Sequence, residues 1–485
     1  MPNTVEETLD TLNGVLKDYI QATRDPSVPL NEYCSPQAMR EKVDLDLPEQ
    51  GMGEEHLSAL AKTYLDQTVR TGSWRYLNQL WSGFSLPGLV GEMTAAASNT
   101  SMFTYEVAPL ATLIEKTLIQ RLCGLVGFER GGGLFVTGGS NANLLALMAA
   151  RFRLDPMSMK QGIDGRPLRI FVSEQAHYSF HKAANLMGLG VANVIAVASD
   201  AAGRMSPEAL QRAIADERAQ GATPFCVAAT AGTTVIGAYD PIEAIADICE
   251  AEDIWFHIDA AWGGSVLMSD KLRTLMAGCE RADSLTWDQH KMMGLPLICS
   301  TILMKDATML GRMNNVGGED YIFHDGDAGD LGPMSLQCGR RVDALKLWLA
   351  WKSYGRAGFA ERIEKLFDLS QYFAERLKEH PRFELAAPVA SLNLCFRYRP
   401  DTGLSDEEVD QGNVVARKHL ARSGRALINY AQVRNRPCWR LILTNFDLTE
   451  ELVDAIFDEV EAACVQAFHP TFQLPEAEAA ATLTL

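Results

Sequence analysis

From about Gly133 onward, short apolar runs alternate with longer stretches in which apolar residues recur every three or four positions. The runs LFVT from Leu134, LRIFVS from Leu168, NVIAVA from Asn193, FCVAATA from Phe225, IWFHID from Ile254, SLTW from Ser284 and LICSTILM from Leu297 predict strands. Between most of them stand helix-like spans such as NLLALMAARFR and PIEAIADICEAE. Repeated βα units around a mostly parallel sheet are the economical solution to this rhythm, which makes the fold class α/β. Upstream, Val5, Leu9, Leu12, Leu16 and Ile20 fall at helical spacing among polar neighbours. They predict an amphipathic helix that needs either its own core or a second subunit to lie on. The Pro-containing stretch from Pro26 to Gln50 reads as an extended connector. After about Gly355 helical pattern dominates, then SLNLCFRY and WRLILTNF predict strands and a last helix begins at Thr449. The expected organisation is an N-terminal helical arm over 1–55, a large domain over 56–365 and a small α+β domain over 366–485.

Composition adds exclusions. A chain of 485 residues with 47% hydrophobic and 22% charged positions can bury a sizeable core and is too long to be a lone binding module. Its 44 basic residues against 62 acidic ones give a net charge of −18, which repels phosphate backbones and anionic lipid. Nucleic acid and membrane surfaces are therefore not expected partners. The ten cysteines are scattered from Cys34 to Cys464 without a CxxC pair, so neither a disulfide framework nor a zinc ribbon is expected, and a cytoplasmic setting fits. The opening MPNTVEETLDTLNG is polar and acidic, and no apolar run reaches the roughly 18 to 20 residues that span a bilayer. Neither a signal peptide nor a transmembrane segment is expected.

Three segments carry candidate chemistry. GGGLFVTGGSNANLLALMAAR runs as strand, glycine turn and helix, so Gly138, Gly139, Ser140 and the first helical amides offer donors to an anion such as phosphate. The same pattern also serves an ordinary βα turn. In FHIDAAWGGS, Asp259 ends an apolar strand at the edge where open α/β sheets bind ligands, and it either caps a helix or seeks a cation. In SLTWDQHKMMGLPLICSTILM, Lys291 lies between two apolar runs. A lysine so placed is either a reactive amine or a surface residue on the turn that Gly294 and Pro296 allow. His290 beside it can donate to an anion or satisfy a carbonyl. An anion seat, a carboxylate wanting a cation and a lysine suited to imine formation together match pyridoxal 5'-phosphate. His177 and His181 stand at i, i+4, a spacing that can hold zinc, but no third ligand accompanies them and no metal is expected.

HIDAAWGG, TWDQHKMMG, LQCGRRVDALKLWLAWK, NTSMFTYEVAP and SEQAHYSFHKAA resemble the group II pyridoxal-phosphate decarboxylases, in the glutamate, aspartate and cysteine-sulfinate branch. The likeness spans roughly Arg75 to Lys352 and grows fainter toward the carboxyl terminus. It implies a fold-type I, aspartate-aminotransferase-like homodimer with active sites at the subunit interface. Carried over by position, Lys291 would bond to the cofactor aldehyde, Asp259 would pair with the ring nitrogen, and His177 and Ala261 would lie on opposite ring faces. Gly139, Ser140 and His290 would hold the phosphate, Thr234 would approach the ring hydroxyl, and Arg340 would take a substrate carboxylate, with Arg341 the lesser candidate. Tyr321, in the Gly- and Asp-rich stretch from Gly311, would return a proton after carbon dioxide leaves; as an aromatic it could equally anchor that loop. One departure stands out: the family usually has Asn-Pro ahead of its His-Lys pair, where this chain has Asp288 and Gln289.

The likeness of NQLWSG and NTSMF to the cysteine-sulfinate and aspartate enzymes implies a small acidic substrate, with Asn78, Gln79 and Ser101 as candidates for reading its side chain. Glutamate, 2,4-diaminobutyrate and aromatic amino acids are the alternatives. An aminotransferase or carbon–sulfur lyase would share Lys291, Asp259 and the fold without a loop tyrosine, and a silent scaffold protein would bind no cofactor.

Overall fold

The structure is a computed structural model and describes residues 5–317, 323, 329–400, 403–469 and 471–472. Its strands are β1 (Tyr76–Leu77), β2 (Gly132–Val136), β3 (Leu168–Ser173), β4 (Val194–Val197), β5 (Thr223–Thr230), β6 (Trp255–Asp259), β7 (Ser284–Asp288), β8 (Ser300–Met304), β9 (Phe383–Leu385), β10 (Asn393–Tyr398), β11 (Leu427–Val433) and β12 (Arg436–Ile442). They form one seven-stranded and one five-stranded sheet among the described residues.

The seven-stranded sheet has the order β2-β8-β7-β6-β5-β3-β4 and belongs to a unit made of Ser85–Ser370 and Ala387–Asn393. β4, β3, β5, β6 and β7 run parallel, whereas β8 pairs antiparallel with both β7 and β2. The reversal has a simple cause. Parallel neighbours need a crossover of a dozen or more residues, usually helical, and the segment from Gln289 to Cys299 is too short to supply one. That segment is left as an irregular loop at the carboxyl edge of β7, and it carries His290 and Lys291.

Alternate residues of each strand point to opposite faces, and both faces are dry. Leu134, Val136, Ile170, Val172, Ala228, Ile302 and Met304 join Leu145, Ala149 and Phe152 of the helix Gly139–Leu154 in one core. Phe135, Phe171, Val227 and Leu303, their neighbours along the strands, are buried as well. At about 1.5–3 kcal/mol for each large apolar side chain, this two-sided burial explains why the strands show no polar alternation.

The other unit comprises Met1–Phe84, Gln371–Ala386 and Leu394–Leu485, so it does not follow the expected boundaries at 55 and 365. β1 pairs in parallel with β11 through Tyr76 and Leu77, which ties the start of the chain to its end. β11 and β12 form an antiparallel pair, as do β10 and β9. The expected amphipathic helix runs from Val5 to Arg24, and Ser58 of the helix Leu57–Gln67 donates to the Thr8 carbonyl. The expected connector contains the helix Pro36–Lys42, started by Pro36 and by the Ser35 hydroxyl accepting from the Ala38 amide. The last helix, Glu450–Ala467, is capped by Thr449 as its sequence implies. Among the described residues no helix is long and apolar enough to cross a membrane.

Candidate active site

The carboxyl edges of the parallel strands and the β7–β8 loop enclose a cavity of about 250 Å³. Thr137, Gly138, Gly139 and Ser140 line one part of it, Asp259 and Asn143 another, and His177, Thr230, Gly232, Thr234, Ala261, Trp262, Asp288, His290, Lys291 and Ile298 complete it. Segments separated by more than a hundred residues in the sequence thus converge where doubly wound sheets bind ligands.

Asp259 ends β6 and is 5% exposed. Its Oδ1 accepts from the Ala261 amide at 3.2 Å and its Oδ2 from Asn143 Nδ2 at 2.8 Å. Asn143 is itself fixed: Nδ2 also donates to Ser179 Oγ, while Oδ1 accepts from Thr286 Oγ1 at 2.7 Å and from His257 Nε2 at 3.0 Å. His257 then accepts at Nδ1 from Ser284, whose oxygen also accepts from Trp255 Nε1. Burial pushes the His257 imidazole down to about 4, so it is neutral at physiological pH and donates from Nε2. The carboxylate is therefore held in one orientation by a chain of satisfied buried groups.

The helix Gly139–Leu154 has no side-chain cap. Gly138 takes φ 115°, which an L side chain rarely adopts, and its carbonyl receives the amides of Asn141 and Ala142. The amides of Gly139 and Ser140 and the Ser140 hydroxyl stand ahead of that first turn, at the positive end of the helix dipole. A Cβ on residue 139 would lie 2.8 Å from Asp288 Oδ2, so only glycine lets the turn approach β7 this closely.

Lys291 lies in the β7–β8 loop with Nζ 3.0 Å from Asp288 Oδ2. His290 Nε2 is 3.8 Å from the same oxygen, while its Nδ1 meets the backbone of Cys299 and the hydroxyl of Ser300. Burial draws the His290 imidazole below its ordinary value, with Asp288 pulling the other way. Burial likewise lowers His177, against the pull of Asp259. Both rings are thus held toward their neutral forms.

The structure brings together Gly139, Ser140, His177, Thr234, Asp259, Ala261, His290 and Lys291 as lining residues. It gives Arg340 a different task. Its guanidinium donates to the Glu115 carboxylate and to the carbonyls of Met102 and Phe135, and the residue is 7% exposed. Drawing it away to a substrate carboxylate would strand the buried Glu115, so the expected substrate contact is corrected to a structural ion pair. Ser101, proposed to read the substrate, accepts from the Arg340 amide and does not line the cavity. Asn78 and Gln79 belong to the other unit, where the Asn78 carbonyl accepts from Arg440 and the Gln79 side chain from Trp81 Nε1. Tyr321 lies outside the described residues. His177 and His181 gain no metal-binding companions: the described residues contain no cluster of three or more His, Cys, Asp or Glu suited to an ion.

Asn143 was not foreseen from the sequence. Its only signal there is a polar residue flanked by NLLALMAAR on a helix otherwise apolar toward the sheet. Asp288 was visible as a departure but not as a cavity carboxylate.

Pyridoxal phosphate fits this chemistry. An amine faces the cavity, a fixed carboxylate lies apart from it, and uncapped helical amides with a hydroxyl offer a phosphate seat. A profile described as the pyridoxal-dependent decarboxylase conserved domain matches residues 36–399. Mouse cysteine sulfinic acid decarboxylase is 37% identical, the alignment covering 95% of this chain and 96% of that one. The glutamate decarboxylase of Drosophila melanogaster is also 37% identical, with 95% and 94% covered. A crystal structure of mouse CSAD superposes with a TM-score of 0.92 at 37% identity, covering 95% of this chain and 98% of that one. Sequence and fold agree over nearly the whole chain, which belongs to the family of pyridoxal-phosphate-dependent amino-acid decarboxylases.

Proposed function

We propose that the chain removes the α-carboxylate of a small acidic L-amino acid, aspartate or cysteine sulfinate in preference to glutamate, releasing carbon dioxide and the corresponding amine. The observation that carries this reading is the joint placement of Lys291 and a rigidly held Asp259 in one cavity, in a chain whose relatives act on acidic amino acids by name. The bound cofactor supplies an aldehyde that bonds to an amino group and a ring that accepts the electron pair of the breaking bond.

The chain's own residues supply the rest. Lys291 would provide the nitrogen that holds the cofactor. Asp259, unable to turn away because Asn143 and the Ala261 amide grip both oxygens, holds a proton on the ring nitrogen opposite it. Ala261 and the His177 imidazole, both lining the cavity, would cover the ring and keep water from it. Thr234 serves the ring hydroxyl. Ser140, the Gly139 amide and His290 bind the phosphate, and Tyr321 delivers a proton to the carbon that has lost its carboxylate. Asn78 and Gln79 read the side chain of the substrate.

We further propose a homodimer. The paired helices Val5–Arg24 and Leu57–Gln67 still expose Val5, Leu9, Leu57, Leu60 and Tyr64, an apolar surface suited to a second subunit. A cytoplasmic setting fits ten cysteines that are all free thiols.

The test is carbon dioxide release from L-aspartate, L-cysteine sulfinate, L-glutamate, L-2,4-diaminobutyrate and L-tryptophan, with keto-acid formation followed in parallel. The highest kcat/KM is expected for one of the first two. A preference for diaminobutyrate or tryptophan would overturn the substrate assignment, and keto acid without carbon dioxide would overturn the reaction.

A further inference from the structure

Asp288 brings a carboxylate into the wall of the cavity, and its surroundings make that charge consequential. The residue is 2% exposed at the end of β7 and lines the cavity. Oδ2 has Lys291 Nζ at 3.0 Å and His290 Nε2 at 3.8 Å, and it would sit 2.8 Å from a Cβ at position 139. Oδ1 is buried without a hydrogen-bond partner. One oxygen therefore has a cation, and the other is an unanswered acceptor beside the Gly139–Ser140 turn.

The phosphate of the cofactor, seated on that turn, brings a second anion into the same few ångströms. This step rests on the reading that Gly139 and Ser140 form the phosphate seat. On bonding to the aldehyde carbon the Lys291 nitrogen would give two of its protons to the departing oxygen as water and keep the third with its charge, but it would no longer be a free ammonium turned toward Asp288. Two like charges in a poorly hydrated site cannot both stay ionised without a large penalty, and the usual resolution is a shared proton. We propose that cofactor binding is coupled to uptake of one proton, which Asp288 holds and donates from a carboxyl oxygen to the phosphate. Protonated, the side chain offers the donor that an asparagine amide would offer, at the cost of making phosphate binding depend on pH.

Among the described residues the other titratable groups around the turn are His290, His177, Cys299, Asp259 and Lys346. His290 on the same loop and His177 after β3 are both drawn below their ordinary values by burial, and Cys299 ahead of β8 is pushed well up by burial. Before the phosphate arrives, all three are held toward their uncharged forms. Asp259 at the end of β6 is held by Asn143, and Lys346 is committed to Glu92 at 2.6 Å and Asp343 at 2.8 Å. The proton comes from solvent.

The sign follows. Above about pH 7 the free phosphate ester, whose second ionisation lies near 6, is fully charged, while the complex holds one proton more than its separated parts. Affinity then falls about tenfold per pH unit. The measurement uses the full-length chain stripped of cofactor. Dissociation constants for pyridoxal 5'-phosphate and for pyridoxal, which lacks the phosphate, are determined between about pH 7 and 8.5 in the wild type and in Asp288→Asn, with inorganic phosphate as competitor. Effects acting through Lys291 reach both ligands and cancel in their ratio.

In the wild type the advantage of the ester over pyridoxal should fall about tenfold per pH unit, and in Asp288→Asn it should be flat and, near pH 8, at least about tenfold larger. A flat wild-type ratio, or the same slope in Asp288→Asn, overturns the proposal while leaving the phosphate seat intact. If the ester has no advantage in either protein and inorganic phosphate does not compete, the seat itself is misassigned. Should the variant fail to fold, the ³¹P resonance of the bound cofactor in the wild type decides. Near pH 7.5 it should lie toward the value of the singly ionised ester, and a resonance at the doubly ionised value contradicts the proposal.

Discussion

The cavity has two ends built on opposite principles. At the end proposed for the ring, Asp259 is gripped from within the protein: Asn143, Ser179, Thr286, His257, Ser284 and Trp255 form one connected set of hydrogen bonds, and only the Thr230 hydroxyl on the neighbouring strand stays unanswered among the residues named there. At the end proposed for the phosphate the helix Gly139–Leu154 has no side-chain cap and Asp288 Oδ1 has no partner. The difference teaches where rigidity is needed. A carboxylate that must meet developing charge is most effective when it cannot reorganise, whereas a seat for a guest anion has to keep donors unspent until the guest arrives.

Substitutions should separate the ends. Asp259→Asn removes the fixed charge opposite the ring nitrogen while keeping the shape, and decarboxylation should slow about 10² to 10³-fold, near 3–4 kcal/mol, with the cofactor still bound. Steady-state kinetics beside an absorbance spectrum checks both halves. If activity is kept, the ring end is not where charge develops.

The next effect is on stability. His257 titrates near 4 in the folded chain and near 6.5 when unfolded, so between those values the unfolded state binds the extra proton and stability falls as pH is lowered. The loss should approach about 3 kcal/mol across that window and shrink in His257→Gln, as read by urea unfolding at several pH values. An unchanged slope would mean that the imidazole is not buried neutral.

Asn143→Ala leaves His257, Thr286 and Asp259 each short of a partner. It should destabilise the fold by about 1–3 kcal/mol and lower kcat while barely changing cofactor affinity. A loss confined to cofactor affinity would erase the distinction between the ends. The smallest change is expected for Ser140→Ala, which removes one donor among several at the phosphate end. Cofactor should bind about tenfold more weakly, near 1.5 kcal/mol, with thermal stability unaltered.

Much of this was readable from the chain. The strands β2 to β8 announced themselves because burial on both faces leaves runs such as LRIFVS and FCVAATA without polar interruption, and Asp259 and Lys291 stood out as charges at the ends of such runs. The departures have physical reasons. Arg340 resembled a substrate-binding arginine, but its partner Glu115 lies 225 positions away and only folding brings the two together. β1 is two residues long and earns its place by pairing with β11 across most of the sequence, so no local pattern could show that the first 84 residues join the carboxyl-terminal unit. Asn143 reads locally as one more polar residue after a glycine turn, and its importance appears only when β6 and β7 present His257, Asp259 and Thr286 to it.

The most direct test of the cavity assignment is to reduce the holoenzyme with borohydride, digest it and locate the cofactor by peptide mass spectrometry. The account predicts one labelled peptide, carrying the reduced phosphopyridoxyl group on Lys291. A label on any other lysine, or a cofactor released intact after reduction, would contradict it.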